Sequence, residues 1–410
     1  MPAHTHCRIC ETRLPAPFLD FGAMPLANSF LSSPVEFASE AFYPLAATAC
    51  PTCGLVQLNY VVPAEQLYRD YIYVSSTSEA VRSHAEALAA SLVRQHGWGS
   101  SDLVVEVASN DGTVLKAFRR RGVRVLGVEP ARNIAAIAET DGVHTVAEFF
   151  DEAMARTLHA TYGNAAGIIG RHVFAHVDDL HGFLEGVRGF LAKDGVFIIE
   201  VPYLGDLLEN LEFDTIYHEH LSYFSLEPVQ RLCGLHGLRL VDVERVGLHG
   251  GSVVLHIRPA AEGSGLSERL DRMLAEERSL RLSDPAQLGA FVRNVRRWKD
   301  RFEMLVGEVV RSGGVLIGYG AAAKANTLLN FCPEVARSFR FILDRNPHKH
   351  GRYTPGTHIR VVAVDRLKEE RATYMLILAW NFKEEIMKQM EPFADRGGRF
   401  VLPLPDPKIL

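Results

Sequence analysis

The chain has 410 residues, room for two or three domains, and with 47% apolar and 23% charged residues it can bury a sizeable core. A formal charge of −5 gives no basic footprint for nucleic acid, and no apolar run approaches the ~20 residues of a membrane span. The opening Met1-Pro2-Ala3-His4-Thr5-His6 lacks the regions of a secretion signal, so a cytoplasmic protein with reduced cysteines is expected.

Residues 1–65 are rich in Pro, Cys and short apolar pieces and lack a long helical period. Cys7-Arg8-Ile9-Cys10 and Cys50-Pro51-Thr52-Cys53 form two CxxC knuckles across a long insert. Four thiolates from two separate turns suit a tetrahedral zinc site. Such a site is structural, because no coordination position is left for substrate. A region this small needs such a staple. His4 and His6 read as a solvated tail, and Cys233 and Cys332, alone in apolar stretches, as small buried hydrophobes.

An amphipathic helix is expected over 83–95, then a strand at 103–108, a turn, a helix at 113–121 and a strand at 123–128 that ends in Glu129. Strand, turn, helix, strand and acid open a doubly wound α/β domain. Further strands are expected at 166–170 and 195–201, with a helix at 180–191 between them. The turn Glu106-Val107-Ala108-Ser109-Asn110-Asp111-Gly112 holds one glycine where a dinucleotide site wants three. That favours a ligand without phosphates, such as S-adenosylmethionine. Glu106, Ser109, Asn110 and Gly112 would then meet its amino-acid end, and Glu129 would accept from both ribose hydroxyls.

Next comes Tyr217-His218-Glu219-His220, two imidazoles, a carboxylate and a phenol in four positions. The spacing is not that of a zinc protease helix. It suits proton removal beside a carbonyl, with an imidazole as base, a carboxylate to orient it and Tyr217 or a second histidine facing the enolate oxygen. His172 and His176 fall where the fourth strand of the domain ends. A charged helical stretch over 266–312 would join this half to a second α/β unit. There Gly318-Tyr319-Gly320 opens a helix carrying Lys324 and Asn326 and could seat a pyrophosphate on backbone N–H groups.

The knuckles, Tyr71-Ile72-Tyr73-Val74-Ser75-Ser76-Thr77-Ser78, the Glu106–Gly112 turn, Tyr217–Ser225, His249-Gly250-Gly251-Ser252 and Gly318–Thr327 occur in an order that resembles the sugar-nucleotide C-methyltransferases of antibiotic deoxysugar pathways. The resemblance spans nearly the whole chain. It implies a zinc-binding head (1–65), a Rossmann-like S-adenosylmethionine methyltransferase domain (66–245) and a C-terminal α/β domain (246–410) that contacts the nucleotide sugar. It implies methylation at carbon 3 of a dTDP-linked 4-keto-deoxysugar, with no nucleic acid or membrane partner. By this likeness His220 is the base, and Tyr217, Glu219 and His176 line its pocket. Tyr71, Tyr73, Tyr223, His249, Gly318, Tyr319, Gly320, Lys324 and Asn326 are the expected substrate contacts. The family more often has Asn where this chain has His172. A sugar-nucleotide oxidoreductase using NAD at the late Gly-x-Gly turn, or methylation at another carbon such as C-5, is the alternative.

Overall fold

A computed structural model describes residues 4–247, 250–260, 265–369 and 371–410. The described residues build three sheets. In the head, β1 (Leu19–Pro25), β2 (Phe42–Ala49) and β3 (Val56–Leu58) form an antiparallel meander. Its side chains Leu45, Leu55 and Leu58 are buried, together with Cys7, Cys50 and Cys53.

The central domain contains β4 (Leu103–Val107), β5 (Arg124–Val128), β6 (Thr145–Val146), β7 (Ala165–Arg171) and β8 (Leu191–Pro202), all parallel. All five residues of β4 are buried, as expected of a parallel strand covered by helices on both faces. One of those helices, Glu79–His96, starts at Ser78, whose hydroxyl accepts from the Val81 N–H, and stops at left-handed Gly97. It buries Val81, Ala85, Leu88, Ala89 and Leu92, one stripe at helical spacing.

The chain then leaves this domain. β9 (Ser222–Tyr223) pairs with β3 of the head, Val56 opposite Tyr223 and Gln57 opposite Ser222. β10 (Leu238–Val246) and β11 (Ser252–Pro259) return as an antiparallel hairpin beside β8, giving the order β10-β11-β8-β7-β4-β5-β6. The boundary expected at 245 therefore cuts this hairpin, and the central sheet extends to Pro259. Strand order reverses between β4 and β7, so the ligand crevice of the sheet opens at their carboxyl ends.

The stretch expected to be helical over 266–312 is two helices, Glu268–Leu280 and Pro285–Arg311, broken at left-handed Arg281. The second buries Phe291, Val295, Trp298 and Phe302. Trp298 packs on Phe213 of the central domain at 4.7 Å and donates from its indole to the Pro403 carbonyl at 2.7 Å. This helix ties the central unit to the last sheet: β12 (Leu316–Tyr319), β13 (Phe339–Asp344), β14 (Val361–Ala363), β15 (Tyr374–Ile377), β16 (Arg399–Leu402) and β17 (Lys408–Ile409). The order is β14-β13-β12-β15-β16-β17, parallel except for β17. One apolar cluster runs from Leu45 through Phe213 to Leu328, so the three units share a core. No helix among the described residues is long and apolar enough to cross a membrane.

Candidate functional site

The four cysteines converge. Sγ of Cys7 lies 3.4 Å from that of Cys53, Sγ of Cys10 lies 3.5 Å from that of Cys50, and all four fall within 4.8 Å of one another. Tetrahedral Zn–S bonds of about 2.3 Å place sulfurs about 3.8 Å apart, so the set fits zinc. The two knuckles are built alike. Glu11 N–H donates to the Cys7 carbonyl and Gly54 N–H to the Cys50 carbonyl, both at 3.0 Å. Both closing residues have positive φ. Ile9 N–H and Thr52 N–H point at Cys7 Sγ and Cys50 Sγ, each at 3.4 Å, which favours thiolate.

At the end of β4 the backbone passes through positive φ at Ala108, Asn110 and Gly112. At Gly112 a side chain is disfavoured, since φ is 73° and a Cβ would crowd Val143 at 3.0 Å. Glu129 closes the turn: its two carboxylate oxygens accept from Asn110 N–H and Ala131 N–H, both at 2.8 Å. Burial raises its pKa. Each oxygen keeps a further lone pair for a ribose hydroxyl. The segment carrying Tyr71 and Tyr73 lies across the turn, with Ser75 N–H donating to Asn110 Oδ1 at 2.9 Å and Ser76 N–H to Asp111 Oδ2 at 3.2 Å. Ser109 departs from its expected role. Its hydroxyl is buried, without a partner, over Gly127, where a Cβ would stand 2.6 Å away. Glu106 is 3% exposed, its Oε2 has no partner, and burial pushes its carboxyl up to about 8. An unsatisfied buried acid and a tethered acid at the next strand end fit a ligand with an ammonium group and a vicinal diol, as S-adenosylmethionine has.

The Tyr217–His220 motif closes against this crevice. The Thr215 carbonyl can only accept, so His220 donates to it from Nδ1, at 2.8 Å. The lone pair on Nε2 then accepts from the Tyr217 hydroxyl at 2.9 Å. Burial pushes the His220 imidazole down to about 3. His176 lies 5.0 Å from His220, ring to ring, and stacks on Tyr68 at 5.6 Å. Its Nε2 is buried without a partner, and burial holds its pKa well below the ordinary value. Glu219 accepts from the Tyr71 hydroxyl at 2.6 Å and from the Asn28 amide at 2.7 Å, and burial raises its pKa. His218 points away, into the head, and donates to the Tyr43 carbonyl at 3.2 Å. Tyr223 is 4% exposed, with its hydroxyl unpartnered and its ring 6.4 Å from His220.

The C-terminal turn divides the expected nucleotide contacts. Gly318 lies inside β12, where a Cβ would stand 2.8 Å from Leu378 and 2.9 Å from Ile342, so it serves sheet packing. Tyr319 is a core residue whose hydroxyl donates to Gln389. Asn326 uses its amide N–H to hold the Ala27 carbonyl of the head at 2.6 Å. Packing accounts for Gly318 and Tyr319, while Asn326 also keeps a buried, unpartnered Oδ1. Gly320, at φ 93°, makes the turn itself. Lys324 remains: its ammonium is buried without a hydrogen-bond acceptor, 4.3 Å above the Trp380 ring. Asp214, bonded to the Trp380 indole at 2.8 Å and pushed up to about 6 by burial, and Glu212 are its electrostatic partners. His249 lies outside the described residues.

Asn28, Tyr68 and Asp214 belong to this site and escaped the sequence reading. Asn28 lies in the head after β1, Tyr68 ends the short helix Ala64–Tyr68, and Asp214 lies in a 3-10 turn, Phe213–Thr215, three residues before Tyr217; none carries a motif of its own. A surface groove of about 510 Å³ beside Tyr203, Arg245 and Phe291 contains none of the site's side chains.

Three family descriptions match the chain in order: "Putative zinc binding domain" at residues 7–68, "Methyltransferase domain" at 74–243 and "C-methyltransferase C-terminal domain" at 247–405. The C-methyltransferase NovU of Streptomyces niveus is 37% identical over 404 residues, covering 98% of this chain and 96% of that protein. Among solved structures, magnesium protoporphyrin IX methyltransferase of Synechocystis PCC 6803 with bound SAH has a TM-score of 0.34 at 12% identity, over 43% of this chain and 81% of that one. A Pyrococcus horikoshii OT3 protein has a TM-score of 0.37 at 19% identity, over 48% and 97%. Full-length identity to the Streptomyces enzyme, together with a four-cysteine head and a donor-type crevice, shows that the chain belongs to the C-methyltransferase family and is an S-adenosylmethionine-dependent methyltransferase with a zinc-binding head.

Proposed function

We propose that the enzyme methylates a carbon next to a ketone, C-3 of a dTDP-linked 4-keto-deoxysugar, through an enolate. The observation that supports this is the pairing of Tyr217 with His220 beside the donor crevice. A sugar carbon becomes nucleophilic only after loss of an α-proton. Fixing the Nδ1 proton on Thr215 leaves Nε2 of His220 as the one basic ring atom. Burial keeps the ring neutral, so its lone pair can accept that proton, directly once Tyr217 swings aside or through the Tyr217 hydroxyl; a pKa of about 3 makes it a weak base in the ligand-free enzyme, and bound substrate must raise it toward the working pH. Tyr71, held by Glu219, is a hydroxyl donor for the developing enolate oxygen. S-adenosylmethionine, when bound, supplies the electrophilic methyl group. The protein's part is alignment and exclusion of water by the Tyr71–Ser78 segment lying across the turn.

Lys324 offers its unpartnered ammonium to the diphosphate of the nucleotide, next to the Gly320 turn. The zinc stays outside the chemistry, since its four thiolates complete the coordination sphere. The domain assignments follow: head to about 65, methyl donor in the central unit, nucleotide sugar against the C-terminal unit. A panel of dTDP-4-keto-sugars incubated with S-adenosylmethionine, followed by S-adenosylhomocysteine release and mapping of the new methyl group, tests the reading. Release with none of them, or a methyl group at C-5, overturns it.

A further inference from the structure

The turn of the C-terminal unit repeats, bond for bond, the turn that closes on Glu129. In the central sheet Ser109 N–H donates to the Val128 carbonyl at 3.2 Å, Asn110 N–H to one oxygen of Glu129 and Ala131 N–H to the other. In the last sheet Gly320 N–H donates to the Leu343 carbonyl at 2.7 Å, Ala321 N–H to Asp344 Oδ2 at 2.7 Å and Asn346 N–H to Asp344 Oδ1 at 2.8 Å. Both acids stand at the carboxyl end of the second strand of a parallel pair, β4 with β5 and β12 with β13. Both are nearly buried, Glu129 at 5% and Asp344 at 9% exposure. This is where a nucleoside-binding fold holds a ribose.

One group breaks the likeness. Lys349, 7% exposed, brings its ammonium 3.8 Å from Asp344 Oδ2. It donates to the Ala321 carbonyl at 2.6 Å and lies 5.1 Å from the centroid of the Phe30 ring of the head. The 3-10 turn that carries it, Pro347–Lys349, is capped by Asn346, whose Oδ1 accepts from His348 N–H at 3.0 Å and whose Nδ2 donates to the Ile72 carbonyl at 2.9 Å. The ammonium is thus fixed in place. Glu129 has no such cation among its described partners. Lone pairs count the difference. Each carboxylate oxygen has two, and a backbone N–H takes one. Glu129 keeps one on each oxygen, enough for two hydroxyls. Lys349 stands beside Oδ2 of Asp344, so only Oδ1 stays free, for one hydroxyl.

We infer that Asp344 and Lys349 select a 2′-deoxyribonucleotide: Asp344 Oδ1 accepts from the 3′-hydroxyl of the nucleotide sugar, and the Lys349 ammonium fills the place of a 2′-hydroxyl. This rests on the nucleotide sugar lying against the C-terminal unit, with its diphosphate at the Gly320 turn. From that turn the ribose reaches the acid at the end of the next strand, the path a dinucleotide fold gives it. A 2′-hydroxyl would have to displace the ammonium from Ala321 and Asp344, or be buried without an acceptor for its proton. Lys349 sets specificity and takes no part in the methyl transfer.

The test uses two ligands that differ by one oxygen, thymidine 5′-diphosphate and ribothymidine 5′-diphosphate, titrated by calorimetry into the full-length enzyme. Wild type should bind the deoxy form more tightly by roughly tenfold or more, the weight of a buried hydroxyl left without an acceptor. Lys349→Ala should bring the two within about threefold, through tighter binding of the ribonucleotide. Lys349→Met, which keeps the stem beside Phe30, serves if the alanine variant does not fold, and should narrow the ratio by about threefold or more. The ratio is internal to each variant, so partial unfolding cancels. A wild-type enzyme that binds both diphosphates alike, a ratio unchanged in the variants, or one that narrows only because the deoxy form weakens, overturns the assignment. A wild-type enzyme that binds neither overturns the nucleotide reading beneath it.

Discussion

The backbone N–H of Leu58 donates to the carbonyl of Leu221 at 2.9 Å, one residue past His220. The cysteine-rich head is therefore the frame on which the Tyr217–His220 motif is hung. Arg8, inside the first knuckle, adds to it. Its guanidinium donates to the Leu58 carbonyl at 2.8 Å, to the Leu221 carbonyl at 3.4 Å and, from Nε, to Asp178 at 2.9 Å, two residues past His176. Leu221 N–H in turn donates to the Ala175 carbonyl at 2.7 Å. Both histidine-bearing loops are referenced to the knuckle.

Metal analysis should find about one zinc per chain. Cys50→Ser should release it and lower the melting temperature. Arg8→Gln should keep the metal, lower kcat by roughly tenfold or more, and leave the dissociation constant for S-adenosylhomocysteine within about twofold, because only the reacting loops shift. An Arg8→Gln enzyme with wild-type kcat would detach the knuckle from the catalytic geometry.

His220→Asn should lose roughly 10²-fold or more in turnover, the usual weight of a general base, while both substrates still bind. It should also abolish exchange of the sugar α-proton with deuterated water. Tyr217→Phe separates the two proton routes. If the proton passes through the phenol, turnover falls as far as in His220→Asn; if His220 takes it directly, turnover stays within about tenfold of wild type. Near-normal turnover in His220→Asn moves the role to His176.

Glu129→Ala removes the proposed acceptor for two ribose hydroxyls and leaves Asn110 N–H and Ala131 N–H without the carboxylate they donate to. Binding of S-adenosylhomocysteine should weaken by about 1.5–3 kcal/mol, as for hydrogen bonds to a charged group. An unchanged value by calorimetry would place the ribose elsewhere.

Glu106 sets a pH dependence in the ligand-free enzyme. Burial raises its pKa from 4.5 to about 8 in the fold. A carboxyl raised on folding is unfavourable to ionise there, so its contribution is fully present below the unfolded pKa and is lost as pH rises through about 8. Glu106→Gln should therefore melt at the same temperature as wild type near pH 4.5 and higher than wild type near pH 8. Melting curves of the two proteins that stay parallel across this range would show that Glu106 does not titrate in the fold.

By itself the sequence marked out three features that rest on contiguous residues. The knuckles declare themselves because a metal needs paired ligands at fixed spacing. The donor crevice does so because strand, turn, helix and acid follow one another within 27 positions, from Leu103 to Glu129. The Tyr217–His220 motif stands out as four reactive groups in a row. What the tertiary structure alone decided is which of these side chains face one another. Periodicity could not show that Gly318 and Tyr319 are spent on the last sheet's core, or that Ser109 turns under Gly127. Nor could it show that β9 leaves its own domain to pair with the head. Asn28 reaches Glu219 across 191 positions and Arg8 reaches Leu221 across 213. Such pairings carry no local pattern, because their energy is realised only when the shared core brings the three sheets together.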